Sequence, residues 1–287
     1  MKINEITSIA RPLDLNYLTN KAIALLSVIV FIAITFFWII DGIEFLDSAW
    51  WGFIASLAVF LSWAIARELD PDYDLSAFVT TGLSLIGLIV FGLPKISMLF
   101  WFLLVARMVN RTTGLPAKRL DSLFLLVLAG WLTINENILI GLMTALAFLL
   151  DSFLSKPQKH QILFASVQLL FVGISSSFNG VIFGDGTLSP SFALAVVVIS
   201  SLFLVVIADS RKIRTGGDRT AELLDPRRVQ SAQILALSTA ILMALWNGLP
   251  GIRAIMLLWA AIVGTSVYRL FVLAKTSLLF ISDDKKK

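Results

Sequence analysis

The sequence predicts an all-α, polytopic transmembrane helix bundle of about ten spans, with both termini on the cytoplasmic side. Three observations carry that prediction. The composition is 58% hydrophobic and only 15% charged, with mean hydropathy +0.89, whereas a soluble domain needs about 25% charged residues to cover its surface. Apolar runs of near-membrane length recur along the whole chain. Lysines and arginines collect in alternate connections, as orientation in a membrane requires. A chain so poor in charge is solvated only if most of its exterior faces lipid, so its 287 residues read as a single integral membrane domain.

The runs fall at 22–40, 49–66, 76–93, 96–109, 120–134, 138–154, 161–178, 191–208, 230–246 and 252–274. The first ends in Phe36-Phe37-Trp38-Ile39-Ile40 and lacks a small-residue cleavage site, which marks a retained span. The fourth and fifth are short, and snorkelling of Arg107 and of the residues near Asp121 extends them. Treating 96–134 as a buried hairpin would place Arg111, Lys118 and Arg119 inside the membrane, at a prohibitive cost. With ten spans, Lys95 and Arg253 alone fall on the outer side, and the other basic residues all lie at the termini or after spans two, four, six and eight. Trp38, Trp50, Trp51, Trp131 and Trp246 sit at outer span ends, where amphipathic rings prefer the headgroup layer. The expected location is the plasma (inner) membrane, crossed many times.

Absences narrow the chemistry. With no cysteine and a single histidine, His160, the chain has no disulfide, thiolate metal site or multi-histidine zinc centre. No G-x-S-x-G, Walker A or G-x-G-x-x-G pattern occurs. The expected partners are membrane lipids and a small-molecule or lipid substrate, not nucleic acid. The sequence sets no oligomeric state.

No ionisable side chain falls at mid-span, so any active site belongs at the inner face. The stretch after span two holds Arg67, Asp70, Asp72 and Asp74 around Pro71. Pro71 biases Asp70 to an extended backbone, in which the three aspartates point to one side and could share Mg²⁺. Asp218, after span eight, is a fourth candidate metal ligand. The alternative is a solvated acidic turn. Candidate phosphate- or anion-binding residues are Arg67, Arg107, Asn110, Arg111, Arg219, Arg227 and Arg228. Successive amides around Thr112–Gly114 could form an anion nest flanked by two of these arginines. Further inner-face polar residues are Asp121, Asp151 and Asp209, a possible ring of carboxylates around one mouth. Gln230 and Gln233 join them if span nine starts near Pro226.

Three functions compete. Ten spans with both ends inside resemble, in topology alone, the drug/metabolite transporter superfamily, which implies a small-solute transporter with a polar cytosolic mouth. Gly82, Gly87 and Gly92 in span three and Gly173 in span seven could break helices for a midplane site. Interleaved acids and arginines at inner helix ends are similar to those of intramembrane prenyltransferases. That likeness implies an Mg²⁺-dependent enzyme acting on a phosphate-bearing lipid or isoprenoid, although the first motif lacks the family's Asn-Asp start and Asp151 stands alone after span six. The third function is a non-catalytic assembly partner that docks through the charged loops.

Overall fold

The computed structural model describes residues 7–11, 13–179, 186–220 and 222–284. The first six residues and the side chains of the Asp283–Lys287 tail lie outside the description. Ten helices follow in order among the described residues: α1 Leu18–Ile40, α2 Phe45–Leu69, α3 Asp74–Phe91, α4 Ile96–Asn110, α5 Arg119–Asn135, α6 Ile138–Phe153, α7 Gln161–Asn179, α8 Pro190–Asp209, α9 Pro226–Ala254 and α10 Met256–Asp284. Each of the first nine apolar runs falls on one of them to within two residues, and the tenth, 252–274, begins on the last residues of α9 and continues as α10. Seven are long and apolar enough to cross a membrane by length and composition: α1, α2, α3, α7, α8, α9 and α10.

Local chemistry sets the helix starts. Asn137 Oδ1 accepts from the Leu139 amide at 2.8 Å and starts α6. Asp225 Oδ1 accepts from the Arg227 amide at 2.8 Å, with Pro226 in the first turn of α9, where its missing N–H costs nothing. Asp121 closes a capping box on the Lys118 amide at 3.0 Å.

The helix breaks lie elsewhere than expected. α3 runs unbroken through Gly82 and Gly87 to a C-cap at Gly92, and α7 runs through Gly173. The interruption is in α9, where Gly248 takes φ 59 and ψ −139 just before Pro250. A proline inside a helix removes one hydrogen bond and crowds the carbonyl four residues back, and only glycine relieves that strain with a positive φ. The helix of the ninth run thus breaks just past Trp246, where that run was expected to end, and a further helical stretch carries on to Ala254.

α4 explains how short helices fit. Its 15 residues span about 22 Å, less than the roughly 30 Å of a hydrocarbon core. It is enclosed by α2, α5, α6 and α9, and Leu99, Trp101, Phe102, Val105 and Met108 are fully buried. Its backbone therefore meets protein and not lipid. Trp101 Nε1 donates to Thr144 Oγ1 of α6 at 2.8 Å, and Gln168 Nε2 of α7 donates to Thr133 Oγ1 of α5 at 3.1 Å. Such interhelical bonds hold a bundle where lipid supplies no hydrophobic drive. The outer surface is apolar, with Ile32 and Phe36 of α1, Ile89 of α3 and Leu170 of α7 all exposed.

Candidate functional site

Ion pairs and hydrogen bonds join residues 7–11, neighbouring ends of α2, α4, α6, α8 and α9, and Arg269 of α10 into one charged end of the bundle. It is built on buried carboxylates that each meet arginine. Glu68, in the last turn of α2, is fully buried. It accepts from Arg11 Nη1 at 3.0 Å, Arg107 Nε at 3.1 Å and Thr112 Oγ1 at 2.8 Å. Its backbone carbonyl takes Asn110 Nδ2 at 2.6 Å. Arg11 also holds Asp218, Nη2 to Oδ1, at 2.9 Å. Burial disfavours the charge on Arg11, but Glu68 and Asp218 outweigh it and raise its pKa.

The second centre is Asp151 at the end of α6, also fully buried. Its Oδ1 accepts from Arg111 Nε at 2.9 Å and Arg228 Nη1 at 2.8 Å, while Gln161 Nε2 donates to Oδ2 at 3.2 Å. The third is Asp70, just beyond α2, which pairs with Arg269 of α10; Arg269 also pairs with Asp209 at the end of α8. The guanidinium of Arg269 lies 4.3 Å from the centre of the Tyr73 ring. Burial, opposed by Arg269, pushes the Asp70 carboxyl up to about 6.

The four candidate metal ligands do not converge. Asp70 faces Arg269. Asp72 accepts from the amide and hydroxyl of Thr215, at 2.9 and 2.7 Å, and from the Arg214 amide at 3.1 Å. Asp74 pairs with Arg67, and Asp218 with Arg11. The extended alternation that would align Asp70, Asp72 and Asp74 is broken by a turn at Pro71–Asp72 and by the start of α3 at Asp74. Among the described residues, no three His, Asp or Glu side chains could hold a metal ion together.

Other sequence candidates tie segments together. Asp121 Oδ2 accepts from the amide and hydroxyl of Ser8, at 2.9 and 2.8 Å, and so pins residues 7–11 under the bundle. Gln230 Nε2 donates to the Ile207 carbonyl at 2.7 Å, and Gln233 Nε2 to the Leu69 carbonyl at 2.7 Å and Ser210 Oγ at 2.8 Å. α9 begins at Pro226, which puts both glutamines on a face that locks the ends of α8 and α2. Arg227 is exposed. Around the anticipated nest the Gly114 amide donates to the Arg111 carbonyl at 2.7 Å, while the Thr112 and Thr113 carbonyls accept from the Asp218 and Arg219 amides at 3.1 and 3.0 Å. These bonds lace two loops together. The backbones meet at Gly114, which has φ +83, and at Gly217, where an added Cβ would lie 2.7 Å from Gly114 Cα.

Among the described residues two cavities open in this framework: of the candidate anion-binding residues Arg67, Arg107 and Arg219 line one, Asn110, Arg111 and Arg228 the other, and Arg227 neither. The larger, about 410 Å³, is walled by Phe60, Trp63, Arg67 and Glu68 of α2 together with Arg107 and Arg219. The smaller, about 250 Å³, is walled by Asn110, Arg111, Lys156, Thr220 and Arg228. Comparison with protein-family models, curated proteins and solved structures finds no match to this chain.

Three residues central to the framework were not among the sequence candidates: Arg11, Glu68 and Arg269. Arg269 carried a usable signal, because an arginine inside the apolar run 252–274 demands a buried partner. Arg11 carried none, since nothing local indicates that residues 7–11 fold back beneath the helices.

Proposed function

We propose that this chain is a ten-pass membrane protein whose charged end lies in the cytoplasm with both termini, and that its larger cavity takes the headgroup of a phosphate-bearing amphiphile. One observation carries the reading. Phe60, Trp63, Ala64 and Arg67 all line the cavity, and their i, i+3, i+4, i+7 spacing makes one stripe of α2. Along that stripe the wall passes from aromatic to cationic toward the charged end, in the order in which an amphiphile passes from chain to head. Trp63 Nε1 is buried without a hydrogen-bond partner, which leaves a donor for a polar linkage. Arg67 and Arg107 supply planar forks suited to phosphate oxygens.

Titration calorimetry of the detergent-purified protein with a short-chain phosphatidic acid tests the reading. Saturable binding that falls about tenfold, or about 1.4 kcal/mol, in Arg67→Gln supports it. Equal binding of the matching uncharged diacylglycerol contradicts it. The enzymatic form of this reading is chemistry on a phosphate-bearing lipid or isoprenoid held by the arginines of this cavity, with Asp74 and Asp218 on its wall engaged by Arg67 and Arg11.

A second reading, a small-solute transporter with this cavity as its cytosolic mouth, draws on the interruption of α9 at Gly248 and Pro250. Discontinuous helices are where transporters place flexible binding elements. Substrate-dependent flux in proteoliposomes that is lost in Gly248→Ala supports it, and absence of flux across a metabolite panel removes it.

A further inference from the structure

We infer that the smaller cavity is a separate site for a tetrahedral oxyanion carried by a water-soluble ligand, of the phosphate class. It stands apart from the amphiphile reading because it shares no lining residue with the larger cavity.

Charge gives the first reason. Arg111 and Arg228 are 6% and 3% exposed, and both lie on the same oxygen of Asp151, Oδ1. Two guanidinium ions thus share one buried carboxylate. A buried excess of positive charge is costly unless a counter-ion neutralises it. At the rim Glu222 is paired with Lys156, and Asp225 offsets only part of the Arg228 charge through space. Asp225 also takes the Arg227 amide and the Ser155 hydroxyl.

Unused hydrogen-bonding capacity gives the second. A guanidinium carries five N–H donors. Arg111 is largely engaged: Nε and Nη2 face Asp151 Oδ1 at 2.9 and 2.7 Å, and Nη1 donates to the Lys156 carbonyl at 2.9 Å. Asn110 Oδ1 and Thr220 Oγ1 are buried with no partner, and both residues line the cavity. A hydrogen phosphate ion accepts from a hydroxyl group and donates its own O–H to an amide oxygen, so its chemistry complements both orphaned atoms.

Backbone strain points to the same place. Among the described residues two non-glycines have positive φ, Arg111 and Lys156, both at +52°. Both line this cavity, and the Arg111 side chain bonds the Lys156 carbonyl. Left-handed backbone at bulky residues persists where surrounding structure enforces it, commonly at ligand sites. The lining has no aromatic wall: Leu223 and Leu224 are its only large apolar residues, and Leu223 is exposed. An acyl chain has nowhere to lie, which favours a soluble source of the anion over a lipid headgroup.

Inorganic phosphate is the probe, titrated at constant ionic strength into the full-length protein in detergent and followed by calorimetry. Saturable binding is expected, with sulfate competing. Affinity should fall about tenfold in Thr220→Val and in Lys156→Gln, neither of which removes a buried charge, and should be unchanged in Arg67→Gln. Lysophosphatidate that binds here more tightly than phosphate, by an amount that Thr220→Val abolishes, would assign the site to a lipid head and overturn the soluble source. Absence of saturable phosphate binding, or binding lost in Arg67→Gln but kept in Thr220→Val and Lys156→Gln, overturns the site itself.

Discussion

Asp70 and Arg269 stand 199 positions apart in the chain and form a buried ion pair, their side chains 1% and 3% exposed. The pair fixes the end of α2 against α10, and Asp209 extends it to α8. An arginine buried this deeply holds three helices through one group. Arg269→Gln should therefore destabilise the protein by about 3 kcal/mol or more, because it leaves Asp70 charged and unpaired. Asp209→Asn, at a carboxylate that is 40% exposed, should cost much less. Thermal unfolding in detergent compares the two, and equal losses would contradict the central place of Asp70.

The pH dependence follows with a definite sign. The folded pKa of Asp70, about 6, lies above its ordinary 3.8. The folded state therefore binds this proton more tightly than the unfolded state, and the group's contribution is fully present below pH 3.8 and lost as pH rises through 6. Stability should fall across that window by about 3 kcal/mol from this group. Asp70→Asn should flatten this part of the profile. An identical slope in the variant would mean that another group titrates there.

Glu68→Gln should release residues 7–11. Glu68 takes Arg11, Arg107 and Thr112 together, and without its charge the first two are held only by weaker partners. Hydrogen–deuterium exchange at the backbone amides of residues 8–11 should then be faster than in the parent. Unchanged exchange would show that Ser8 on Asp121, Arg219 on the Thr7 and Ala10 carbonyls and Asp218 on Arg11 together suffice to hold the segment.

Gly114→Ala should cost about 1–3 kcal/mol, since φ is +83 and the new methyl would lie 2.0 Å from Thr220 Oγ1. Thr220→Gly in the same chain should recover the collision but not the backbone strain. A double variant as unstable as the single one would assign the whole loss to φ.

Much of the fold was legible because bilayer energetics act on local sequence. Runs such as 76–93 and 161–178 need no long-range information to become α3 and α7. The end of the ninth run at Trp246 was legible, because the helix breaks at Gly248 just before Pro250, but the further helical stretch to Ala254 that precedes α10 left no separate mark in the apolar pattern. The candidate site was only half legible. Proximity in sequence put Asp70, Asp72 and Asp74 in one cluster, yet the turn at Pro71 sends each to a different partner, two of them more than 140 positions away. Arginines such as Arg111 and Arg228 were visible as candidates, but their convergence on Asp151 depends on how α4, α6 and α9 pack, which no local pattern encodes.

The proposed ten-pass topology makes one membrane-facing prediction: every other connection, with its basic residues, lies on one side. The chain has no cysteine, so single cysteines can be introduced at the exposed positions Arg119, Lys212 and Arg253 and challenged in intact cells with a membrane-impermeant thiol reagent. Ten passes with cytoplasmic termini predict labelling at position 253 alone, with 119 and 212 reacting only after the membrane is opened. Labelling of 119 or 212 from outside, or protection of 253, would contradict it.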